Sequence, residues 1–194
     1  MESLIERLNE LERQIKTPSF RENKGLSNEV GYYIFDYPAK HEIEVREYIQ
    51  KLTDRYKEET HGFSICVYDL YDLMIDLLER EGFLELCFEF EQTKGIEEVR
   101  TAINELLRME EDNLNNEILK TIYEQTPQHS VIFLSGVGKC FPILRSHKIL
   151  NNMHQLIDKQ PVIMFFPGTY DGQSLILFDE IKDDNYYRAF KIAN

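Results

Sequence analysis

Residues 30–70 restrict the fold more than any other stretch. "VGYYIFDY" (30–37) is followed by Val45, Ile49, Leu52 and Tyr56 at helical spacing, and then by "FSICVYDL" (63–70). Aromatic and β-branched runs predict strands, and the period between them predicts an amphipathic helix. Strand, helix and strand in that order favour parallel pairing with a right-handed crossover. The runs in "SVIFLS" (130–135) and "VIMFF" (162–166) extend the same sheet. The expected class is therefore α/β: a single domain over 1–194, with a mainly parallel sheet flanked by helices, a C-terminal hairpin and an acidic helical insertion.

The remaining segments are assigned around that frame. Leu4, Leu8, Leu11 and Ile15 form one stripe of a helix reaching about Lys16, and polar residues with Pro18 and Gly25 follow, so 1–29 reads as an N-terminal helix and loop. Residues 69–80 read as a helix. The insertion spans 79–126. Within it "GFLELCFEFEQ" alternates like a strand at Leu86, Phe88 and Phe90, yet Leu84, Cys87 and Phe88 share a helix face, and helix is preferred. Ile96, Val99, Ile103 and Leu106 predict a further helix, and Leu114, Ile118, Leu119 and Ile122 another. "RSHKILNNMHQLI" predicts a helix after the third strand, and "RAFKI" a short last strand.

"PVIMFFPGTYDGQSLILF" (161–178) sets two apolar runs around a stretch rich in turn formers. The expectation is a hairpin pairing 162–166 with 175–178, in which Pro167, Gly168 and Gly172 shape the turn. Tyr170 and Asp171 are left to lock that turn or to meet a partner.

Charge and cysteines narrow the function classes. The formal net charge is −13, which argues against DNA or RNA as a direct ligand, because that affinity rests on cations replacing phosphate counterions. Residues 79–124 hold thirteen Asp/Glu against five Lys/Arg, whereas 127–178 hold two against four. Cys66, Cys87 and Cys140 are odd in number and lack CxxC spacing, as reduced thiols do. No apolar run approaches the roughly 20 residues that span a bilayer, and "MESLIERLNELERQI" lacks a signal-peptide core. The expected setting is the cytoplasm, without a membrane contact.

Enzyme motifs fail one by one. "LSGVGKCFP" (134–142) follows a strand and contains Gly-Lys, but Phe133 stands where a phosphate loop has its first glycine, and Cys140 replaces the hydroxyl that would hold magnesium. His147, Asn151 and His154 recur along one helix face without the spacing of a metal pair. Asp171 and Asp179 could pair in a hydrolytic site with Arg145 or His147, while Asp171-Gly172 is by default a turn dipeptide. The expectation is no metal and no cofactor. Gly136, Gly138, Arg145, His147, Tyr170, Asp171 and Arg188 remain as one candidate functional or structural cluster, at the sheet edge where α/β proteins place their ligands.

Three successive segments carry a resemblance: "VIFLSGVGKCFPILRSHKILNNM", "PVIMFFPGTYDGQSLILF" and "DNYYRAFKI". Together they resemble the BrxB family of bacterial BREX phage-defence systems, over about 130–192 in detail and more loosely before. The residues that carry it include Gly136, Gly138, Pro142, Arg145, His147, Gly168, Tyr170, Asp171, Tyr187 and Arg188. The resemblance implies a cytoplasmic part of a machine that modifies host DNA and blocks phage replication. It brings no assigned reaction and no catalytic residue, so it implies a non-catalytic adaptor. The implied partners are other BREX proteins, a PglZ-like protein of the phosphatase superfamily or the BrxC-type ATPase. Two alternatives stay open: a degenerate nucleotide-binding or hydrolytic site around Gly138, Arg145, His147 and Asp171, and a nucleic-acid contact confined to the basic stretch 139–159.

Overall fold

A computed structural model describes residues 3–23, 31–183 and 189–193. The chain enters through α1 (Leu4–Ile15), whose N-terminus is closed by a capping box. Ser3 Oγ accepts from the Glu6 amide, and Glu6 accepts from the Ser3 amide at 2.7 Å. A short turn of helix, α2 (Pro18–Arg21), has proline at its first position. β1 (Tyr32–Tyr37) follows, then α3 (Glu42–Arg55), α4 (Glu58–His61) and β2 (Ser64–Asp69). The strand, helix and strand read from the sequence are all present.

Four helices separate β2 from the next strand: α5 (Leu70–Arg80), α6 (Leu84–Lys94), α7 (Ile96–Leu106) and α8 (Glu117–Gln125). "GFLELCFEFEQ" is helical, with Cys87 buried and Phe88 exposed. Its apolar residues spread over more than half of the circumference, with Glu91 and Lys94 among them, so no narrow stripe marks its period. Leu114, read as part of α8, lies before it and is half exposed, because Asn116 caps the helix by accepting from the Leu119 amide. β3 (Ser130–Ser135), α9 (Val137–Cys140), α10 (Ser146–Met153), β4 (Val162–Tyr170), β5 (Leu175–Leu177), β6 (Ile181–Asp183) and β7 (Phe190–Lys191) complete the order. The predicted helix over 145–157 stops at Met153. Among the described residues no helix is long and apolar enough to cross a membrane.

The strands lie in the order β2-β3-β4-β1-β7, and every neighbouring pair on that path is parallel. Alternate residues face opposite sides, as the strand period of two requires. Ile34, Ile132, Leu134, Val162, Met164 and Phe166 pack with helices α5, α7, α8 and α10. Phe35, Val131, Phe133, Ile163 and Phe165 pack with α1 and α3 on the other face. Both faces are covered, so the central strands read as near-continuous apolar runs. Each such buried side chain contributes roughly 1.5–3 kcal/mol.

The hairpin differs from the expectation. Val162–Phe166 do not pair with 175–178; they lie in the parallel sheet between β1 and β3. β4 instead continues through "PGTY", and Gly168, Thr169 and Tyr170 pair antiparallel with Leu177, Ile176 and Leu175. Gly168 makes this possible. Its φ is 150°, and a Cβ there would stand 2.1 Å from the Ile176 carbonyl oxygen. Only the residues after Tyr170 turn the chain.

The winding of the chain positions the site. From β1 the crossover through α3 runs over one face to the far edge at β2, and the chain then returns to β4 with its helices on the other face. In sheets wound this way the carboxyl ends of the strands frame a crevice where the connections diverge.

Candidate functional site at the carboxyl edge of the sheet

Asp36, next to last in β1, is the most connected group at that edge. Its side chain is 6% exposed, and Oδ1 lies 2.7 Å from Arg7 Nη2 while Oδ2 lies 2.7 Å from Lys191 Nζ. The Tyr170 amide donates to Oδ2 at 2.9 Å. Arg7 also donates to the Asp36 carbonyl and, through Nε, to the Ala193 carbonyl at 2.6 Å. One carboxylate therefore gathers α1, β1, β4 and β7. A buried charge persists when it is paired and hydrogen-bonded, as here.

A second knot joins the end of β2 and the start of α5 to α9. Asp69 caps α5 by accepting from the Tyr71 and Asp72 amides, and it holds Lys139 Nζ at 2.7 Å. Lys139 also reaches Asp72 at 3.1 Å. Partial burial pulls the Lys139 ammonium down, but its hydrogen bonds to both carboxylates outweigh that, and it titrates above its ordinary range. The lysine of "GVGK" is thus engaged with the α5 cap. Gly136 takes φ 73°, and a Cβ there would fall 2.1 Å from Asp69 Oδ1, so glycine is needed on two counts. Gly138 is a packing contact: a Cβ would meet the Phe178 ring at 2.8 Å and Pro167 at 3.1 Å.

Phe178 and Asp179 both hold positive φ, 56° and 62°, at the turn between β5 and β6. Such φ is strained for a bulky residue. The Phe178 amide donates to the Pro167 carbonyl at 2.9 Å, and the Thr169 hydroxyl donates to Asp179 at 2.6 Å. These bonds hold the ring over Gly138.

The predicted cluster divides. Tyr170 is 1% exposed and its hydroxyl donates to the Ala189 carbonyl at 2.8 Å, so it locks the hairpin and is not presented to a partner. Asp171 is exposed, and its carboxylate accepts from the Gln173 and Ser174 amides of its own turn. Those bonds hold its pKa below the usual carboxylate value, with a smaller contribution from Lys182. The Asp171 carboxylate thus closes its own turn, the default for an Asp-Gly pair. Arg145 and His147 do sit together, flanking Ser146 at the start of α10, and both line a cleft of about 780 Å³ facing α7. His154 stacks on buried Tyr32 with ring centroids 3.8 Å apart. Arg188 and Tyr187 lie outside the described residues.

A larger cleft, about 1040 Å³, opens beside the carboxyl ends of β1 and β4. Ile5, Pro38, Glu44, Gly168 and Thr169 are among its walls. Ile5 is 68% exposed and Ile43, at the start of α3, is 71% exposed. They are the most exposed large apolar side chains among the described residues. Sequence reasoning singled out neither of them, nor Arg7, Asp36 and Lys191.

Comparison with known proteins agrees with this architecture's sequence signature. The profile described as BREX protein BrxB matches residues 66–192. "BREX protein BrxB" from Bacillus cereus (strain H3081.97) is 47% identical over 194 residues, covering 100% of both chains.

The chain belongs to the BrxB family.

A second family member, "BREX protein BrxB" from Escherichia coli O9:H4 (strain HS), is 31% identical over 187 residues, covering 96% of this chain and 90% of its own. No solved structure matches the chain. BrxB is part of the BREX phage-defence system, so membership makes this chain a component of such a system. In this BrxB member the polar groups at the sheet edge form two knots of ion pairs that fasten secondary-structure elements, and Arg7, Asp36 and Lys191 of the first line the larger cleft.

Proposed function

We propose that the chain is a non-catalytic adaptor of a BREX-type defence complex, binding other components of the system. One observation carries the reading: at the edge where an α/β enzyme holds its reacting groups, Asp36 is committed to Arg7, Lys191 and the Tyr170 amide, and Asp69 to Lys139 and the α5 amides. Beside them the 1040 Å³ cleft carries Ile5 at its wall and Ile43 nearby, both exposed. Exposed apolar residues rimmed by charge are typical of docking surfaces. The candidate partners are the PglZ-like protein and the BrxC-type ATPase.

Co-purification from cells expressing the whole operon tests this. The paired variant Ile5→Glu/Ile43→Glu should lose a BREX partner that the wild type retains. Reversal of the exposed acids Glu85, Glu89 and Glu91 on α6 reports on the insertion face instead. If the wild type brings down no BREX component under any condition, the adaptor reading fails.

A further inference from the structure

The cleft beside α10 has features that the adaptor role does not use. Arg100 from α7, Arg108 from the turn after α7 and Arg145 from the start of α10 all line its 780 Å³. In a chain of net charge −13 this convergence runs against the general field. Lys148 in the same cleft is paired with Glu110, and Arg100 Nη2 with Glu97 at 2.7 Å. Arg108 and Arg145 have no ion pair among the described residues. Glu105 and Glu111 also line the cleft, so it is not uniformly basic.

Two local features mark these arginines as placed at a cost. Arg100 Nε is buried without a hydrogen-bond partner, although a buried N–H donor left unmet is unfavourable. Arg108 holds φ 52° where α7 ends, with its amide bonded to the Glu105 carbonyl and the Met109 amide to that of Asn104. That helix ending normally takes glycine at the left-handed position. A side chain kept there against the backbone preference points to a use for the side chain. Between them, α10 begins with no acidic residue in its first turn and no side-chain cap. Its amide end favours an anion.

We propose that this cleft binds a phosphate-type oxyanion, with Arg100, Arg108 and Arg145 as its donors and the α10 N-terminus behind it. Guanidinium groups suit phosphate because their N–H pairs match two oxygens at once. The volume exceeds what free phosphate fills and lies in the range of small-molecule sites, so the group is carried by a phosphorylated small molecule. The site shares no lining residue with the cleft at Ile5, and its test is independent of partner binding.

Calorimetry on the full chain at low salt, with AMP and inorganic phosphate as probes, decides the matter. AMP should bind one per chain. Arg145→Gln and Arg108→Gly should each weaken it by at least about tenfold. Arg108→Gly also controls for folding, because glycine relieves the left-handed position and the melting temperature should hold or rise. AMP tighter than phosphate supports a phosphorylated small molecule, and equal affinities support free phosphate at the same arginines. Unchanged affinity in both variants, or no binding of either probe at millimolar concentration, overturns the proposal.

Discussion

Arg7 and Asp36 meet at 2.7 Å across 29 residues of chain, and the same guanidinium reaches the Ala193 carbonyl. The pair therefore fastens the first helix, the first strand and the C-terminal segment together. Asp36→Ala would leave a guanidinium that is only 15% exposed without its carboxylate. The expected loss is about 3 kcal/mol in chemical denaturation, the cost of breaking a buried pair on one side. A loss below about 1 kcal/mol would show that the pair behaves like a surface contact.

Gly136 and Asp69 should be coupled. Gly136→Ala forces a left-handed alanine and pushes the Asp69 carboxylate from the α5 cap, together about 2–3 kcal/mol. In an Asp69→Ala background the clash is gone, and only the backbone strain of about 1 kcal/mol remains. A double-mutant cycle by urea denaturation measures the difference. Strict additivity of the two changes would contradict the contact.

Glu12 ties α1 to α3, accepting from Tyr48, Arg55 and Tyr56. Burial alone would raise its pKa, but these hydrogen bonds outweigh burial and hold it below the ordinary value. A depressed folded pKa gives stability that is complete above the unfolded value, about 4.3, and is lost as pH falls through the folded one. The stability gap between wild type and Glu12→Gln should therefore be steady near neutrality and shrink on acidification through that window. A gap independent of pH down to about 3 would remove Glu12 from the acid response.

The thiols should be inert in the folded state. Burial pushes Cys140 up to about 12, with the Asp69 charge adding to the effect, and burial also raises Cys66 and Cys87. Since the thiolate is the reactive form, alkylation at pH about 8 should be slow for all three and should become fast in denaturant. Rapid native-state labelling of Cys140 would refute its burial at the end of α9.

The parallel sheet was legible because strands buried on both faces leave long apolar runs, as "YYIFDY", "SVIFLS" and "VIMFF" do. The Arg7–Asp36 pair was not, since it joins residues from separate elements and neither has a local motif. One signal was present: Asp36 interrupts a run otherwise fit for burial, and a charge there demands a partner. The hairpin was misplaced because pattern cannot tell a strand that ends at Pro167 from one that passes through it. The choice is made by the close approach of Gly168 to Ile176, a contact between separate strands. Tyr170 looked available for the same reason, its burial being decided by the distant Ala189 and Asp36.

The strand order also dictates a schedule. β1 lies between β4 and β7, so the first strand made has both neighbours among the last, and Asp36 waits for Tyr170, 134 residues later. At a synthesis rate of roughly 5–20 residues per second the delay is roughly 10 s. Until then the aromatic face of "YYIFDY" has no sheet to join. β2 and β3 can pair earlier, so the growing chain holds an edge that only its final third can cover. Truncation from the C-terminal side should accordingly yield aggregates in place of a smaller folded unit.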